Sequence, residues 1–329
     1  MRTLDNTAAS IVRRLPSSAS VHCILTVSLL LDTSAFLTAW KSVMPSSSDL
    51  LASMPIAWPS SLQKLLPCGA SKALNRQRSK FAQDWCMVQS TFPEVAHDDF
   101  LHAWLLVNTR SFHHSTRATK HRASRDQMIL QPIADLFNHD ALGPGCRVSF
   151  GAAGFSVYAD RPYEAGEEVI FSYGRHPNDT LLVDYGFVVP EGNPWDEILV
   201  DDCVMPLLSP ERQDWLQEHN LLGRYIVDTE KCCYRTDAAI RASLLTKSRW
   251  TRFVAGEPDD NKDDSNDIMT RLDQVWQGII NNALHCAHAA QVALGSHALD
   301  NQHPLVLRWK QVIAMLQNID YSCTEPASA

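Results

Sequence analysis

Several groups of side chains in this 329-residue sequence could in principle hold a metal, activate a nucleophile or move a proton, and most of them fail on spacing. Asp259, Asn261 and Asp263 match the first three ligand positions of a calcium loop. The sixth position, however, is Asp264 where glycine must turn the chain, and the twelfth is Thr270 where a bidentate glutamate is needed. The acidic stretch from Gly256 to Asp267 therefore reads as a solvated surface loop. His285 and His288 stand at i, i+3 spacing around Cys286, but no second ligand pair accompanies them, so they read as surface or packed residues, as do His113 and His114. Gly154-Phe155-Ser156-Val157-Tyr158 lacks the closing glycine of a serine-hydrolase elbow. Gly143-Pro144-Gly145 has a proline inside it and no third glycine, so it is no dinucleotide loop, and no Walker A pattern occurs. Glu167 and Glu168 are neighbours, which places them on opposite faces of a strand as turn and edge charges rather than an acid/base couple. No metal site is expected.

One constellation survives. It consists of Pro132-Ile133-Ala134-Asp135-Leu136-Phe137-Asn138-His139, then Gly166-Glu167-Glu168-Val169-Ile170-Phe171-Ser172-Tyr173-Gly174, then Asn178, Leu181-Leu182 and Tyr185-Gly186-Phe187. In this order and spacing the segments resemble the SET-domain methyltransferases, in the branch typified by the Rubisco large-subunit lysine methyltransferase. Thr109-Arg110-Ser111-Phe112 is similar to the arginine-bearing segment that precedes the SET core of that branch.

The resemblance implies methyl transfer from S-adenosylmethionine to a protein side chain, the lysine ε-amine first, with histidine a possible target. Carried over by position, Asp135, Asn138 and His139 would lie against the cofactor. Arg110 would hold its amino-acid end, a guanidinium fork being suited to a carboxylate. Tyr173 would be the central catalytic tyrosine, and Tyr185 and Phe187 would line the substrate channel. A free lysine amine has a pKa of about 10.4, so a narrow aromatic channel that disfavours the ammonium would help to expose the nucleophile. One feature departs from the family. A first strand with a Gly-x-Gly-type turn should precede the helical insertion, yet residues 1–22 contain no glycine. Either the chain is shortened there, or this member has lost half of the cofactor pocket. In the second case the alternative function is a catalytically inactive SET-like protein-interaction module.

The elements that must position these residues follow from periodicity. Apolar spacing predicts a helix over about 23–43, a Pro/Ser-rich connector with Pro45, Pro55, Pro59 and Pro67, and helices over about 72–90 and 98–110, the last capped by Asp98 or Asp99. Cys146–Phe150 and Phe155–Tyr158 read as a hairpin around Gly151 and Gly154, and Glu168–Tyr173 as a third short strand. Helices are predicted again near 209–219, 236–249, 267–292 and 303–318. The expected fold class is α+β. Residues 1–22 form an atypical N-terminus, 23–125 a helical insertion of the SET domain, 126–200 the SET core, and 201–329 a helical C-terminal lobe that resembles the substrate-binding lobe of the branch.

Composition sets the remaining bounds. With 29 Lys plus Arg against 37 Asp plus Glu, the net charge of −8 gives no bulk attraction to nucleic acid or anionic lipid. Nine cysteines are scattered with no CxxC pair, which fits reduced thiols inside a cell, in the nucleus or cytoplasm. Val21–Leu31 is apolar but too short to span a bilayer, and it runs on into Leu37, Trp40 and Val43 at helical spacing. The Arg- and Ser-bearing first 20 residues leave organelle targeting open. The expected partner is a protein substrate, met by a monomer without direct nucleic-acid or membrane contact.

Overall fold

The structure, a computed structural model, describes residues 13–115, 120–121, 123, 127–141, 145–151, 154–228, 233–257 and 265–319. These divide into two compact units. The first holds the chain up to Pro59, Lys72–His176 and Thr180–Trp195. The second holds Ser60–Ser71, Pro177–Asp179 and the chain from Asp196 onward.

In the first unit, α1 (Val21–Leu31) starts at Ser20, whose hydroxyl accepts the Cys23 N–H. It is apolar nearly all round and is buried accordingly. The single helix predicted over 23–43 is in fact two. Asp32 accepts the Ser34 N–H through its side chain at 2.8 Å, and Ser34 caps α2 (Ala35–Lys41) by accepting the Leu37 N–H. These short polar side chains offer the backbone an alternative to the helical ladder, and the chain bends by 99° between the two helices. Among the described residues no single helix is long and apolar enough to cross a membrane.

The Pro/Ser-rich connector holds short helices, α3 (Ser47–Ser53) with a Ser46/Asp49 capping box and α4 (Ser60–Gln63). Next come α5 (Cys68–Thr91) and α6 (His97–Arg110). Neither Asp98 nor Asp99 caps α6. Ala96 precedes it without a side-chain cap, and both acids lie in the first turn, where the helix dipole favours them. The core of the unit gathers Leu25, Leu29 and Leu37 with Phe92, Phe100, Trp104 and Leu105.

The β part of the unit is built from small pairs. β1 (Ser111–His113), inside the stretch expected to be helical, runs antiparallel to β2 (Met128–Leu130). β3 (Asn138–His139) runs parallel to β6 (Ile170–Phe171). Between them in sequence lies the hairpin of β4 (Arg147–Gly151) and β5 (Gly154–Tyr158), in the register Arg147↔Tyr158. The hairpin matches its expectation, whereas the strand predicted over Glu168–Tyr173 contracts to Ile170–Phe171. Residues 143–144 of the Gly-Pro-Gly segment and most of the acidic loop lie outside the described residues. α7 (Asn178–Tyr185) follows.

The second unit contains β7 (Glu197–Leu199), α8 (Asp201–Val204), α9 (Pro210–Glu218), β8 (Ile226–Asp228), α10 (Tyr234–Leu244), α11 (Lys247–Val254), α12 (Ser265–Leu294) and α13 (Pro304–Asn318). The helix predicted over 236–249 is broken at extended Leu245 and Thr246. The turn lets buried Trp250 donate its indole N–H back to the Ala238 carbonyl at 2.8 Å. The antiparallel β7–β8 pair was not expected. Arg308 of α13 is completely buried at the centre of this unit. Its Nε donates to Asp179 Oδ1 and its Nη1 to Asp196 Oδ2, both at 2.7 Å, and its Nη2 donates to the Glu197 carbonyl at 3.0 Å.

Candidate active site

The spacing of the Asn-His and Tyr-Gly segments has a direct structural meaning: β3 and β6 lie side by side, with Asn138 opposite Ile170 and His139 opposite Phe171. Gly145 approaches this pair closely. With φ at 53°, a Cβ there would fall 2.7 Å from the Ile170 carbonyl oxygen and 2.8 Å from Phe171 Cα, so a side chain does not fit. The adjacent Cys146 N–H donates to that same Ile170 carbonyl at 3.0 Å.

The strand pair sets His139 beside the chain leaving β6. The Tyr173 N–H donates to His139 Nδ1 at 3.0 Å, which makes Nδ1 an acceptor and leaves Nε2 to carry the proton of the neutral ring. Burial lowers the His139 pKa, His176 adds to the fall, and Asp140 opposes it. The Tyr173 hydroxyl donates to the Phe137 carbonyl at 2.8 Å. Around the Tyr173 ring stand His139, Tyr185, Phe171 and Phe187, with centroids at 5.1, 5.2, 5.8 and 6.4 Å. Four residues singled out from the sequence, His139, Tyr173, Tyr185 and Phe187, thus form one aromatic cluster. Burial raises the pKa of both phenols, that of Tyr185 to about 12, with Asp184 and Tyr173 adding to it. Both are therefore neutral donors at physiological pH rather than bases.

A polar joint adjoins the cluster. Arg110, the last residue of α6, donates from Nη1 to the Asp135 carbonyl at 2.6 Å and stands 3.6 Å from Asp135 Oδ2. The Trp40 indole donates to the same Oδ2 at 3.0 Å. Burial raises the Asp135 pKa, against the pull of Trp40 and Arg110. Arg110, Asp135 and Glu168 all act electrostatically on the Tyr173 phenol, which ties the joint to the aromatic rings. Two atoms of the joint are left over: Arg110 Nε and Asp135 Oδ1 are buried without a hydrogen-bond partner. Asn138 stands apart, exposed, with its amide donating to Glu168 Oε1 at 2.6 Å.

Three participants were missed in the sequence. Trp40 lies 95 residues before the aspartate it holds, and nothing in its surroundings marks it. Glu168, read as an edge charge, orients Asn138. His176 stands with its ring 6.0 Å from that of Tyr185, and the only sequence signal for it is its place two residues after Tyr173-Gly174.

Residues 26–174 match the family described as SET domain. This stretch, just under half of the chain, is similar to a SET domain. The matched stretch runs from within α1 to just past β6. Among curated proteins, the ribosomal lysine N-methyltransferase set11 of Schizosaccharomyces pombe is 25% identical over 237 residues, covering 68% of this chain and 60% of that protein. The ribosomal lysine N-methyltransferase 2 of Saccharomyces cerevisiae is 26% identical over 266 residues, covering 66% and 55%. The chain thus matches little more than half the length of these relatives. Among solved structures, the SET domain of LSMT bound to lysine and AdoHcy superposes with a TM-score of 0.56 at 15% identity, covering 95% of this chain and 76% of that one. Rubisco LSMT bound to AdoMet gives a TM-score of 0.53 at 17% identity over 91% and 73%. The fold is the α+β SET fold with a helical C-terminal region.

Proposed function

We propose that this SET domain directs methyl transfer from S-adenosylmethionine to the ε-amine of a lysine in a protein. The observation that carries this reading is the half-satisfied Arg110–Asp135 joint beside an aromatic cluster. A buried donor without a partner costs about 1–3 kcal/mol, and here an unpartnered donor and an unpartnered acceptor belong to one ion pair. A zwitterionic α-amino acid group would answer both, Arg110 being suited to its carboxylate and Asp135 to its ammonium. The residues present therefore fit the amino-acid end of S-adenosylmethionine.

When bound, S-adenosylmethionine supplies an electrophilic methyl group on a sulfonium. The chain does the rest by placement, which can account for several kcal/mol of a barrier. Asn138 and His139 of β3 would lie on the cofactor side. The Tyr173 hydroxyl, fixed by the Phe137 carbonyl, keeps an acceptor face for the incoming amine. Tyr185 and Phe187 wall the approach with apolar ring surface, which excludes water and disfavours the ammonium form.

Because the yeast relatives are named as ribosomal lysine methyltransferases, a ribosomal protein is the first substrate to try. Calorimetric titration with S-adenosylhomocysteine, followed by incubation with methyl-labelled S-adenosylmethionine and purified ribosomal proteins, tests the proposal. Binding and labelling of one protein is the expected result. A folded chain that binds no S-adenosylhomocysteine would instead be a non-catalytic interaction module.

A further inference from the structure

Methyl transfer needs a neutral amine, and a lysine reaches the site as an ammonium with an ordinary pKa of about 10.4. The groups already described do not take up that proton. Tyr173 and Tyr185 are held protonated, and His139 Nδ1 is occupied by the Tyr173 N–H. One further titratable ring faces the cluster. His176 packs its Nε2 edge on Gly174, the residue after Tyr173, so closely that a Cβ at Gly174 would stand 2.8 Å from Nε2 and 3.3 Å from Cδ2. Its carbonyl accepts the Asn193 amide at 3.0 Å, which fixes the backbone. Neither of its ring nitrogens hydrogen-bonds another described residue.

Other titratable groups stand around His176. His139 faces it from β3, and Tyr185 and Asp184 face it from α7. Asp184 is anchored by its carbonyl, which accepts the Asn108 amide at 2.8 Å. Burial raises the Asp184 pKa, and Lys80 and Arg76 of α5, together with His176, oppose that rise.

We propose that His176 is the catalytic base that accepts the proton of the incoming lysine ammonium. This rests on the methyl-transfer reading above. The ammonium N–H bond breaks toward a neutral ring nitrogen of His176, and its electron pair stays on the lysine nitrogen. That pair forms the new N–C bond as the bond from the methyl carbon to sulfur breaks, its electrons going to sulfur. The imidazolium returns its proton to water, which half-buried His176 can reach.

Two measurements test this on the full chain. In the first, the His176 ring is titrated by NMR with free L-lysine as probe and norleucine as control. L-lysine should lower the His176 midpoint, because a nearby ammonium opposes a second positive charge, and norleucine should not. Equal midpoints would overturn the proposal whether or not a protein substrate has been found. In the second, transfer to ribosomal proteins is followed against pH. His176→Gln should lose on the order of a hundredfold in rate together with the acidic limb of the wild-type profile. A His176→Gln enzyme with the wild-type limb intact would overturn it. If L-lysine shifts His176 but wild-type protein transfers no methyl group, the amine site stands and the methyl-transfer reading falls.

Discussion

Arg308 and Arg110 are both set against aspartate in the interior, one in each compact unit, and they end in different states. Every nitrogen of Arg308 has a partner, split among Asp179, Asp196 and the Glu197 carbonyl, and Asp196 also accepts the Asn178 N–H at 3.0 Å. Arg110 meets Asp135 through Nη1 alone, leaving Nε and Asp135 Oδ1 without partners. A completed buried network holds a fold together, whereas an incomplete one is a demand for a ligand. Identical chemistry thus separates a structural site from a binding site by what it leaves undone.

Substitutions can break this contrast, and the largest effect belongs to the completed network. Arg308→Met should cost about 3–5 kcal/mol, because it strands two carboxylates in the interior. Chemical denaturation would show it, and adding Asp179→Asn and Asp196→Asn should recover much of the loss. Tyr173→Phe should leave the denaturation curve near wild type while cutting methyl transfer roughly a hundredfold or more, read by label incorporation. Arg110→Met should weaken S-adenosylhomocysteine binding about tenfold to a hundredfold, the range for a hydrogen bond to a charged group, with a much smaller change in stability than Arg308→Met. A stability loss equal to that of Arg308→Met would erase the distinction.

The smallest effect is in pH. His139 has a folded pKa below its unfolded value, so the unfolded chain binds the proton first as pH falls. The stability from neutral His139 is complete above about pH 6.5 and declines below it, until the folded ring also protonates. Buried His22, whose pKa is lowered more strongly by burial and Lys80, acts in the same direction. Melting temperatures measured from pH 7.5 to 5 should therefore fall less in His139→Gln than in the wild-type chain.

Long amphipathic helices were legible in the sequence because many residues repeat one period; Leu74, Phe81, Trp85 and Val88 fall within α5, and Phe100 and Trp104 within α6. The β4–β5 hairpin was legible through Gly151 and Gly154. Strands of two or three residues, such as β3 and β7, are too short to print an alternation, and the helix breaks at Asp32 and Leu245 depend on capping and on one buried tryptophan. For the site, the motif order singled out His139, Tyr173, Tyr185 and Phe187, which the structure brings together. The partners Trp40 and His176 lie outside that motif, because their relation to the site is made by packing rather than by a family pattern along the chain.

The bend between α1 and α2 has a consequence for how the chain can vary. The Trp40 indole reaches Asp135 at a single rotational phase of α2, and that phase is fixed by the three residues Asp32, Thr33 and Ser34. Adding or deleting one residue of α2 before Trp40 would turn the indole by about 100° and leave the aspartate held by Arg110 alone. Surface connections usually absorb changes of length. Here the count of residues from Ser34 to Trp40 acts as a fixed ruler: its identities can drift, but its length cannot without detuning an acid 95 residues away.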